Sequence, residues 1–383
     1  MPVAHALQPF GETIFAEMSR LAIEHSAINL GQGFPNFDGP SFIKDAAIAA
    51  LRDGKNQYAR SFGIPELNEA IADDHQQRFG RQIDPTMNVT VTSGCTEAIA
   101  ATMFGLLNPG DEIILFEPFY DSYRACVAMA GAKARFVTMN GPSFRFERAA
   151  LEAAVTPTTR AILINTPHNP TGRVFDRDEL QVIADVCIKH DLIAIVDEVY
   201  EHLVFDGEHL SLATWPGMAE RTMLMSSLGK TFSLTGWKIG WAIAPSELTQ
   251  AIRAAHQFLT FSTATPLQHG AVAAIRAPAS YFESYASAYR ERRDVLVDGL
   301  RSVGFGVEAP AGTYFVMADI SPFGADDDRA FCRHLIEHVG VAGIPPSVFY
   351  AESDEGTRYL RFAFCKDIET LRRALDRMHE RLR

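Results

Sequence analysis

The sequence predicts an α/β protein: a mainly parallel sheet with helices on both faces, accompanied by a smaller α+β domain. Between about residue 85 and residue 245, short β-rich runs alternate with stretches of helical spacing. Two of the runs, AILIN and LIAIVD, are almost continuously apolar, as expected for strands that are buried on both faces. This alternation is typical of βαβ units, which build a parallel sheet sandwiched between helices.

Seven segments have the composition of buried strands. They are residues 89–93, 112–117, 134–139, 161–165, 192–197, 222–227 and 238–244. Only about ten residues separate the last two segments, and a parallel crossover normally needs about a dozen or more. We therefore expect a seven-stranded sheet whose last strand along the chain runs antiparallel.

The helix between the strands at 161–165 and 192–197 carries the clearest start signal. Asp176 is followed three positions later by Glu179, which is the pattern of a capping box. Apolar residues then continue at helical spacing through Leu180, Ile183, Ala184, Cys187 and Ile188. The sequence thus predicts a capped helix with one face against the sheet.

The sequence pattern of alternating strands and helices changes from about residue 281. A long charged helix is followed by two short strands, TYFVMAD and YLRFAF, and by helices near 329–339 and 368–382. We interpret this part as a second domain that the first forty residues join. The predicted division is a large domain at 41–284 and a small, discontinuous domain made of 1–40 and 285–383.

Composition excludes several classes of protein. A formal net charge of −12 without any dense basic run argues against nucleic-acid binding. The five cysteines are scattered and form no CxxC pair, and the histidines form no HExxH, so we expect neither a disulfide framework nor a metal site. No signal-peptide pattern and no apolar run of about 18 residues is present, so we expect a cytoplasmic protein without membrane contact.

Polar side chains follow three of the predicted strands, at the edge of a parallel sheet where ligands bind. They are Asn169 in TPHNPTG, Asp197 and Tyr200 after LIAIV, and Ser227, Lys230 and Lys238 after TMLMS. Taken singly, each is more often part of a turn, a solvated carboxylate or an exposed lysine. Together they bring an amine, a carboxylate, a phenol, an amide and hydroxyls to one sheet edge.

An enzyme that uses pyridoxal phosphate (PLP) needs this set of groups. A lysine amine forms a Schiff base with the cofactor aldehyde. A carboxylate beside the pyridine nitrogen keeps that nitrogen protonated, so that the ring can accept electrons. The phosphate is held by N–H groups at a helix start, with hydroxyls and a cation.

The segments NTPHNPTGRVF, IVDEVYEHLVF and SSLGKTFSLTGWKIGWAIAP resemble those of the fold-type I, class I/II PLP aminotransferases, in particular the kynurenine, glutamine and methionine aminotransferase branch. The resemblance covers nearly the whole chain, from INLGQGFPNFDGP through NQYARSFGIPEL and VTSGCTEAI to GTYFVMADIS and YLRFAFC. It implies a PLP-transferase of fold type I that moves an amino group between an amino acid and a 2-oxo acid.

The resemblance also implies roles for single residues. Lys230 carries the cofactor and, once the substrate has displaced it, moves the proton between the substrate Cα and the cofactor. Asp197 pairs with the pyridine nitrogen, and Asn169 and Tyr200 bond the ring oxygen. Tyr120, in EPFYDSY, stacks on the ring.

The same resemblance assigns the phosphate to the helix start at Gly94, Cys95 and Thr96, helped by Ser227 and Lys238. Tyr58 matches a tyrosine that reaches the phosphate from a neighbouring subunit, which implies a homodimer with shared active sites. Two positions depart from the commonest pattern of the class. Lys238 stands where many class I enzymes have arginine, and Cys95 stands where related chains often have a small residue, so we expect Cys95 to pack rather than to react.

On the substrate side, Arg361 matches the clamp on the substrate α-carboxylate, and the alternative is an exposed strand arginine. Gly33 is expected to let the backbone approach the substrate, and Asn169 is expected to bind the substrate as well as the cofactor. No second arginine is clearly placed for a distal carboxylate, and aromatic residues stand at Phe34, Tyr120, Phe261 and Tyr314. These features favour a neutral, apolar or aromatic amino donor of the methionine, glutamine or kynurenine type.

Two other functions remain open from the sequence. A C–S β-lyase acting on cystathionine-type substrates shares the HNPTG turn and the lysine, although DEVYEHLVF, GWKIG and LGQGFP favour transamination. A non-catalytic PLP-binding regulator would carry a DNA-binding helix-turn-helix before the aminotransferase-like body. That body begins within about thirty residues here, which leaves no room for such a domain.

Overall fold

The computed structural model describes residues 3–382. The first elements are α1 (Ile14–Glu24), β1 (Ile28–Asn29), α2 (Ser41–Arg52) and α3 (Pro65–Phe79). Then follow β2 (Val89–Thr92), α4 (Gly94–Leu106), β3 (Glu112–Glu117), α5 (Asp121–Met129), β4 (Lys133–Thr138), α6 (Arg148–Ala154), β5 (Thr159–Asn165), α7 (Arg177–His190), β6 (Ile193–Asp197), β7 (Thr222–Ser227), α8 (Leu228–Thr231) and β8 (Gly240–Ile243). The last are α9 (Ser246–Leu259), α10 (Thr265–Ile275), α11 (Ala279–Val303), β9 (Gly306–Val307), β10 (Phe315–Asp319), α12 (Asp328–His334), β11 (Val341–Ala342), β12 (Tyr359–Ala363) and α13 (Ile368–Arg381).

The central sheet has seven strands in the order β2–β8–β7–β6–β5–β3–β4. Strand β8 is antiparallel to both β2 and β7, whereas the other neighbours pair in parallel. The predicted fold class and its single antiparallel strand are confirmed. The last strand is shorter than the predicted 238–244, because Lys238 has a left-handed φ of 53° that an extended strand cannot accommodate.

Both faces of the sheet are buried, which explains the continuously apolar strands. In β3, Ile113 and Leu115 pack into one apolar cluster, whereas Ile114 and Phe116 pack into another. Successive side chains of a strand point to opposite faces, so a strand covered on both sides needs apolar residues at every position.

Helix α7 begins with the predicted capping box. The Asp176 side chain accepts from the Glu179 N–H, and the Glu179 side chain accepts from the Asp176 N–H. The helix buries Leu180 and Ile183 as expected, but Ile188 is 45% exposed and does not belong to the buried face. At about 100° per residue, Ile188 lies roughly 80° round the helix from Leu180, at the edge of the apolar stripe.

Beyond the large sheet, β12, β10 and β9 form a three-stranded antiparallel sheet, and β1 pairs with β11. The helix expected near 329–339 is α12, continued by a π-helical turn at Leu335–Val339. Helix α11 is continuous through the predicted boundary between 284 and 285. The division into a 41–284 domain and a discontinuous small domain stays a prediction.

Among residues 3–382, no helix combines the length and the apolar character that crossing a membrane requires.

Candidate active site

A cavity of about 190 Å³ lies at the carboxyl ends of β5, β6 and β7 and is closed on one side by the start of α4. Ten of the residues singled out in the sequence line it: Gly94, Cys95, Thr96, Tyr120, Asn169, Asp197, Tyr200, Ser227, Lys230 and Lys238. Parallel strands end at the same edge of a sheet, so residues from distant motifs meet there.

Lys230 lies in the short helix α8 directly after β7. Its Nζ is 5.6 Å from the ring centroid of Tyr200 and 5.8 Å from that of Tyr314. Its backbone carbonyl accepts a hydrogen bond of 2.9 Å from the Tyr285 hydroxyl. Desolvation by the surrounding protein lowers the pKa of the Lys230 amine, although the Asp197 carboxylate opposes that effect. An amine with a lowered pKa is neutral more often and is therefore a better nucleophile.

Asp197 ends β6 and is 4% exposed. Its Oδ2 accepts a 2.7 Å hydrogen bond from the Tyr123 hydroxyl, and its Oδ1 accepts one of 3.2 Å from the Val199 N–H. Burial raises the pKa of the Asp197 carboxyl, and these two hydrogen bonds and the Lys230 amine lower it. The carboxylate is thus the buried acidic group at the floor of the cavity.

The turn that carries Asn169 is held to Asp197 by a second amide, that of Asn165. The Asn165 Nδ2 donates to the Asp197 backbone carbonyl at 2.8 Å, and its Oδ1 accepts from the Asn169 N–H at 2.7 Å. The Asn169 Oδ1 in turn accepts from Arg361 Nη1 at 2.8 Å, which leaves the Asn169 NH₂ group as the donor for a ligand. Asn165 was not among the predicted site residues, although its place at a strand end is a signal that marks it.

Glycines at and beside the start of α4 let Lys238 and strand β8 come close to the helix start. Gly94 has φ of 76°, and a Cβ added there would lie 3.2 Å from the Nζ of Lys238. A Cβ at Gly240 would lie 2.6 Å from the backbone nitrogen of Cys95, so glycine is required where β8 passes under the helix start. The first N–H groups of a helix have no intrahelical partner and, with a lysine beside them, form an anion site.

Cys95 lines the cavity at this helix start and is 9% exposed. Burial and the neighbouring Asp197 carboxylate raise the pKa of its thiol well above the ordinary value. The acidifying effect expected of a helix N-terminus is therefore outweighed, and Cys95 stays a neutral thiol.

Arg361, in β12, is only 1% exposed, so the alternative of an exposed strand arginine is wrong. Its Nη2 donates to the Gly31 carbonyl at 2.9 Å, and its Cζ lies 4.0 Å from the ring centroid of Phe315. Burial lowers the pKa of Arg361 to about 10, so the guanidinium is still charged at neutral pH. Within the described chain it has no carboxylate at salt-bridge distance, and its Nε has no hydrogen-bond partner. A buried cation without a counter-ion marks an anion site.

Gly33 packs against Phe315, the ring that also lies beside Arg361. The sequence did not predict this contact. A Cβ at Gly33 would lie 2.8 Å from the Phe315 ring, so this position must be glycine whatever the backbone does toward a substrate. Its carbonyl accepts a 2.6 Å hydrogen bond from the Tyr314 hydroxyl. Lys366 donates to the carbonyls on either side, those of Gln32 at 3.3 Å and Phe34 at 2.6 Å. Loop 31–34 is therefore fixed through its carbonyls by side chains of the C-terminal part of the chain.

Tyr58 does not line this cavity. It is 80% exposed and packs edge-on against Phe261, with 5.1 Å between the ring centroids. Phe258 and Leu259, at the end of α9, are 86% and 48% exposed. These four exposed residues, Tyr58, Phe258, Leu259 and Phe261, are called here the Tyr58 patch.

A second polar cluster lies outside the cavity. Glu198, Glu201 and His209 bring three potential metal-ligand atoms within 4.8 Å of one another. Glu198 bonds His209 at 3.0 Å, and Glu201 forms an ion pair with Arg78. The guanidinium already neutralises one carboxylate of the cluster, and the absence of a metal site stays a prediction.

Comparison with known proteins identifies the family. Residues 25–378 match the model of the family described as aminotransferase class I and II. The chain is 46% identical to the probable N-succinyldiaminopimelate aminotransferase DapC of Mycobacterium tuberculosis, over 97% of this chain and 96% of that protein. It is 38% identical to the methionine aminotransferase of Escherichia coli, over 98% of this chain and 97% of that protein.

The solved structure of the N-succinyldiaminopimelate aminotransferase from M. tuberculosis superposes with a TM-score of 0.96 at 46% identity, covering 99% of this chain and 100% of that chain. The chain belongs to the class I and II aminotransferases and is a PLP-dependent transaminase of fold type I.

Proposed function

We propose that this transaminase uses Lys230 to carry the cofactor and to move the proton, Asp197 to pair with the pyridine nitrogen, and Arg361 to bind the substrate α-carboxylate. One observation carries the proposal. The Lys230 amine, whose pKa is lowered, and the buried Asp197 carboxylate line one cavity, and the buried Arg361 guanidinium, which has no counter-ion, bonds Asn169 of the cavity lining.

The donor groups of the cavity fit PLP. The helix start at Gly94, Cys95 and Thr96, together with Ser227 and Lys238, supplies N–H groups, a hydroxyl and a cation for the phosphate. Asp197, which also lines the cavity, would supply the carboxylate for the ring nitrogen. When bound, the cofactor supplies an electron-accepting ring that stabilises negative charge at the substrate Cα.

The remaining side chains bind, orient and move protons. Burial raises the pKa of Tyr200 well above its ordinary value, so its hydroxyl stays protonated and serves with the Asn169 NH₂ as a donor to the ring oxygen. Tyr120 lines the cavity and supplies the aromatic face against which a ring can stack. The Lys230 amine, once released, takes the proton from the substrate Cα and returns it on the cofactor side.

For the amino donor, we propose a neutral, apolar or aromatic side chain. The wall around Arg361 is aromatic: Phe15, Phe315 and Phe349 lie 4.0–5.3 Å from the guanidinium carbon by ring centroid. Phe34, at the end of loop 31–34, is 49% exposed. The buried rings offer no partner for a second charge, and the exposed Phe34 ring offers contact area to an apolar side chain.

A second candidate is a larger donor with distal carboxylates, such as N-succinyldiaminopimelate. The relative from M. tuberculosis supports it by name, and a specific feature of this chain does so as well. A second cavity of about 620 Å³ shares Tyr120 with the first and is lined by Arg124 and Arg329. Its lining also includes Asp121, Glu12 and Glu17, which would repel a carboxylate unless the arginines dominate.

We also propose that the functional unit is a homodimer in which Tyr58 of one copy reaches the phosphate site of the other. The exposed Tyr58 patch supports this, because exposed aromatic clusters of this kind are typical of protein interfaces. Sedimentation of wild type and Phe258→Asp tests it. The expected result is a dimer that the charged substitution weakens, and a monomeric wild type would contradict it.

The reaction itself is tested without any oxo-acid acceptor. PLP-loaded protein is mixed with an excess of methionine, glutamine, kynurenine or N-succinyldiaminopimelate, and the products are counted. A transaminase releases one equivalent of the new oxo acid per active site and then stops. Continuous release of pyruvate and ammonia from cystathionine would instead show the C–S β-lyase.

The same panel, repeated with an acceptor, ranks the donors by kcat/KM. A preference for methionine, glutamine or kynurenine supports the neutral donor. A preference for N-succinyldiaminopimelate by about tenfold or more supports the second candidate, and the variant Arg124→Gln should then raise KM for that donor alone.

A further inference from the structure

We propose that Tyr123 is a positioning residue of the reaction: its hydroxyl holds the Asp197 carboxylate in the orientation and the ionised state that pairing with the pyridine nitrogen requires. The inference rests on the role proposed above for Asp197. In the segment EPFYDSY the sequence drew attention to Tyr120 alone, and Tyr123 follows it by one helical turn.

The geometry places the two residues in direct contact. Tyr123 is 3% exposed in α5, lines the same cavity as Asp197, and donates its hydroxyl proton to Asp197 Oδ2 at 2.7 Å. The Tyr120 ring packs edge-on against it at a centroid distance of 5.6 Å, which fixes the direction of the phenol. With the Val199 N–H on Oδ1, each carboxylate oxygen has one donor and keeps lone pairs for a ligand.

Such a donor is needed because burial alone works against the reaction. A buried carboxyl prefers its neutral form, so a proton shared with a pyridine nitrogen would move onto the oxygen and leave the ring uncharged. A hydrogen bond to the ionised carboxylate opposes this and keeps the proton on the nitrogen. Burial also raises the pKa of Tyr123 well above its ordinary value, so the phenol remains a donor and does not lose its own proton.

The other groups that face Asp197 cannot replace Tyr123. The Cys95 thiol is a weak donor, and the Lys230 amine is committed to the cofactor. The Val199 N–H bond is longer, at 3.2 Å, and is a neutral backbone donor. The short phenol bond is therefore the main side-chain contribution to the ionised state.

The test reads the proton on the ring nitrogen directly. Wild type and Tyr123→Phe are loaded with PLP labelled with nitrogen-15 in the ring, and the nitrogen chemical shift is recorded at neutral pH. We expect the protonated value in wild type and a displacement toward the unprotonated value in the variant. We also expect PLP to bind about tenfold more weakly, because a hydrogen bond to a charged group is lost. An unchanged shift in a folded variant overturns the inference.

Two further variants keep the test sharp. Tyr359→Phe removes a buried hydroxyl that has no hydrogen-bond partner in the described structure, and it should leave the nitrogen shift and the PLP affinity at the wild-type values. 4-Aminophenylalanine at position 123 keeps the ring and a weaker donor, and should give a smaller displacement in the same direction. It measures the interaction even if Tyr123→Phe folds poorly, and an unchanged shift there contradicts the inference.

Asp197→Asn distinguishes a failure of the role proposed for Asp197 from a failure of the role proposed for Tyr123. If this variant leaves the nitrogen protonated, the role of Asp197 is wrong and the inference fails with it. If Asp197→Asn displaces the shift and Tyr123→Phe does not, the inference alone fails. If both displace it, Tyr123→Phe added to Asp197→Asn should cause no further change, because Tyr123 acts through Asp197.

Discussion

The cofactor side and the substrate side of the site are assembled differently. On the cofactor side, Asp197 ends one strand of the mainly parallel sheet, and Asn169 and Lys230 follow two of its neighbours. On the substrate side, Arg361 reaches the Gly31 carbonyl 330 positions away, and Tyr314 reaches the Gly33 carbonyl 281 positions away. The first arrangement follows from sheet topology, whereas the second depends on how the ends of the chain meet.

This difference decides what substitutions do on each side. Side chains at strand ends act through their own chemical groups, so replacing one removes a reaction step. Side chains that hold loop 31–34 act on backbone carbonyls and shape the binding surface, so replacing one should change KM more than kcat.

The largest effect is expected for Lys230→Ala. The variant loses both the covalent attachment and the proton carrier, so kcat should fall by about a thousandfold or more. Lys189→Ala, on the exposed side of α7, is the matched control and should keep wild-type kcat. A Lys230→Ala enzyme with activity within tenfold of wild type would contradict the role of Lys230 as cofactor carrier and proton carrier.

Arg361→Lys should come next. It keeps the charge but loses the planar fork that bonds Asn169 and Gly31, so KM for the amino donor should rise about 10- to 100-fold in steady-state assays. Arg358→Lys is the control, because Arg358 is exposed and paired with Asp319. A normal KM in Arg361→Lys would show that the α-carboxylate is bound elsewhere.

Gly94→Ala tests the phosphate-binding helix start on the cofactor side. It adds a Cβ at a positive φ and only 3.2 Å from Lys238, so PLP affinity measured by fluorescence titration should fall about tenfold. Gly54→Ala has nearly the same φ, 77°, and open space around the Cβ, so it carries the same backbone strain without the crowding. Equal PLP affinity in the two variants would refute the role of the helix start.

The smallest effect is expected for Tyr314→Phe. Loss of the 2.6 Å bond to the Gly33 carbonyl should loosen loop 31–34 and raise KM about three- to tenfold, with kcat nearly unchanged. Tyr359→Phe again serves as the control. If kcat fell and KM did not change, Tyr314 would belong to the chemistry around Lys230, whose amine lies 5.8 Å from its ring.

The sequence predicted the sheet, its antiparallel strand and ten of the residues around the cavity, because strand periodicity and strand-end position are visible in one dimension. It did not reveal Tyr123, Asn165 or Lys366, and it marked Tyr314 only as an aromatic residue that favours an apolar donor. Lys366 bonds backbone carbonyls, which every residue possesses, so no residue type marks its partners. Asn165 stands at the end of β5, and this position is the signal that could have marked it. Tyr123 is one turn along a helix from a recognised aromatic, and only the folded chain shows that its hydroxyl reaches Asp197.

Gly33 is another residue whose structural role the sequence did not predict. Its glycine was attributed to backbone approach, yet the structure shows the Phe315 ring where a Cβ would stand. Packing between residues so far apart has no signature in a single sequence.

The central claim is that the amine of Lys230 carries the cofactor. Borohydride reduction of the PLP-loaded protein, followed by proteolysis and peptide mass spectrometry, tests it directly. The account predicts one modified peptide, with the phosphopyridoxyl group on Lys230 and an unmodified Lys238. A modification on Lys238 or on any other lysine, or none at all in a protein that has bound PLP, would contradict it.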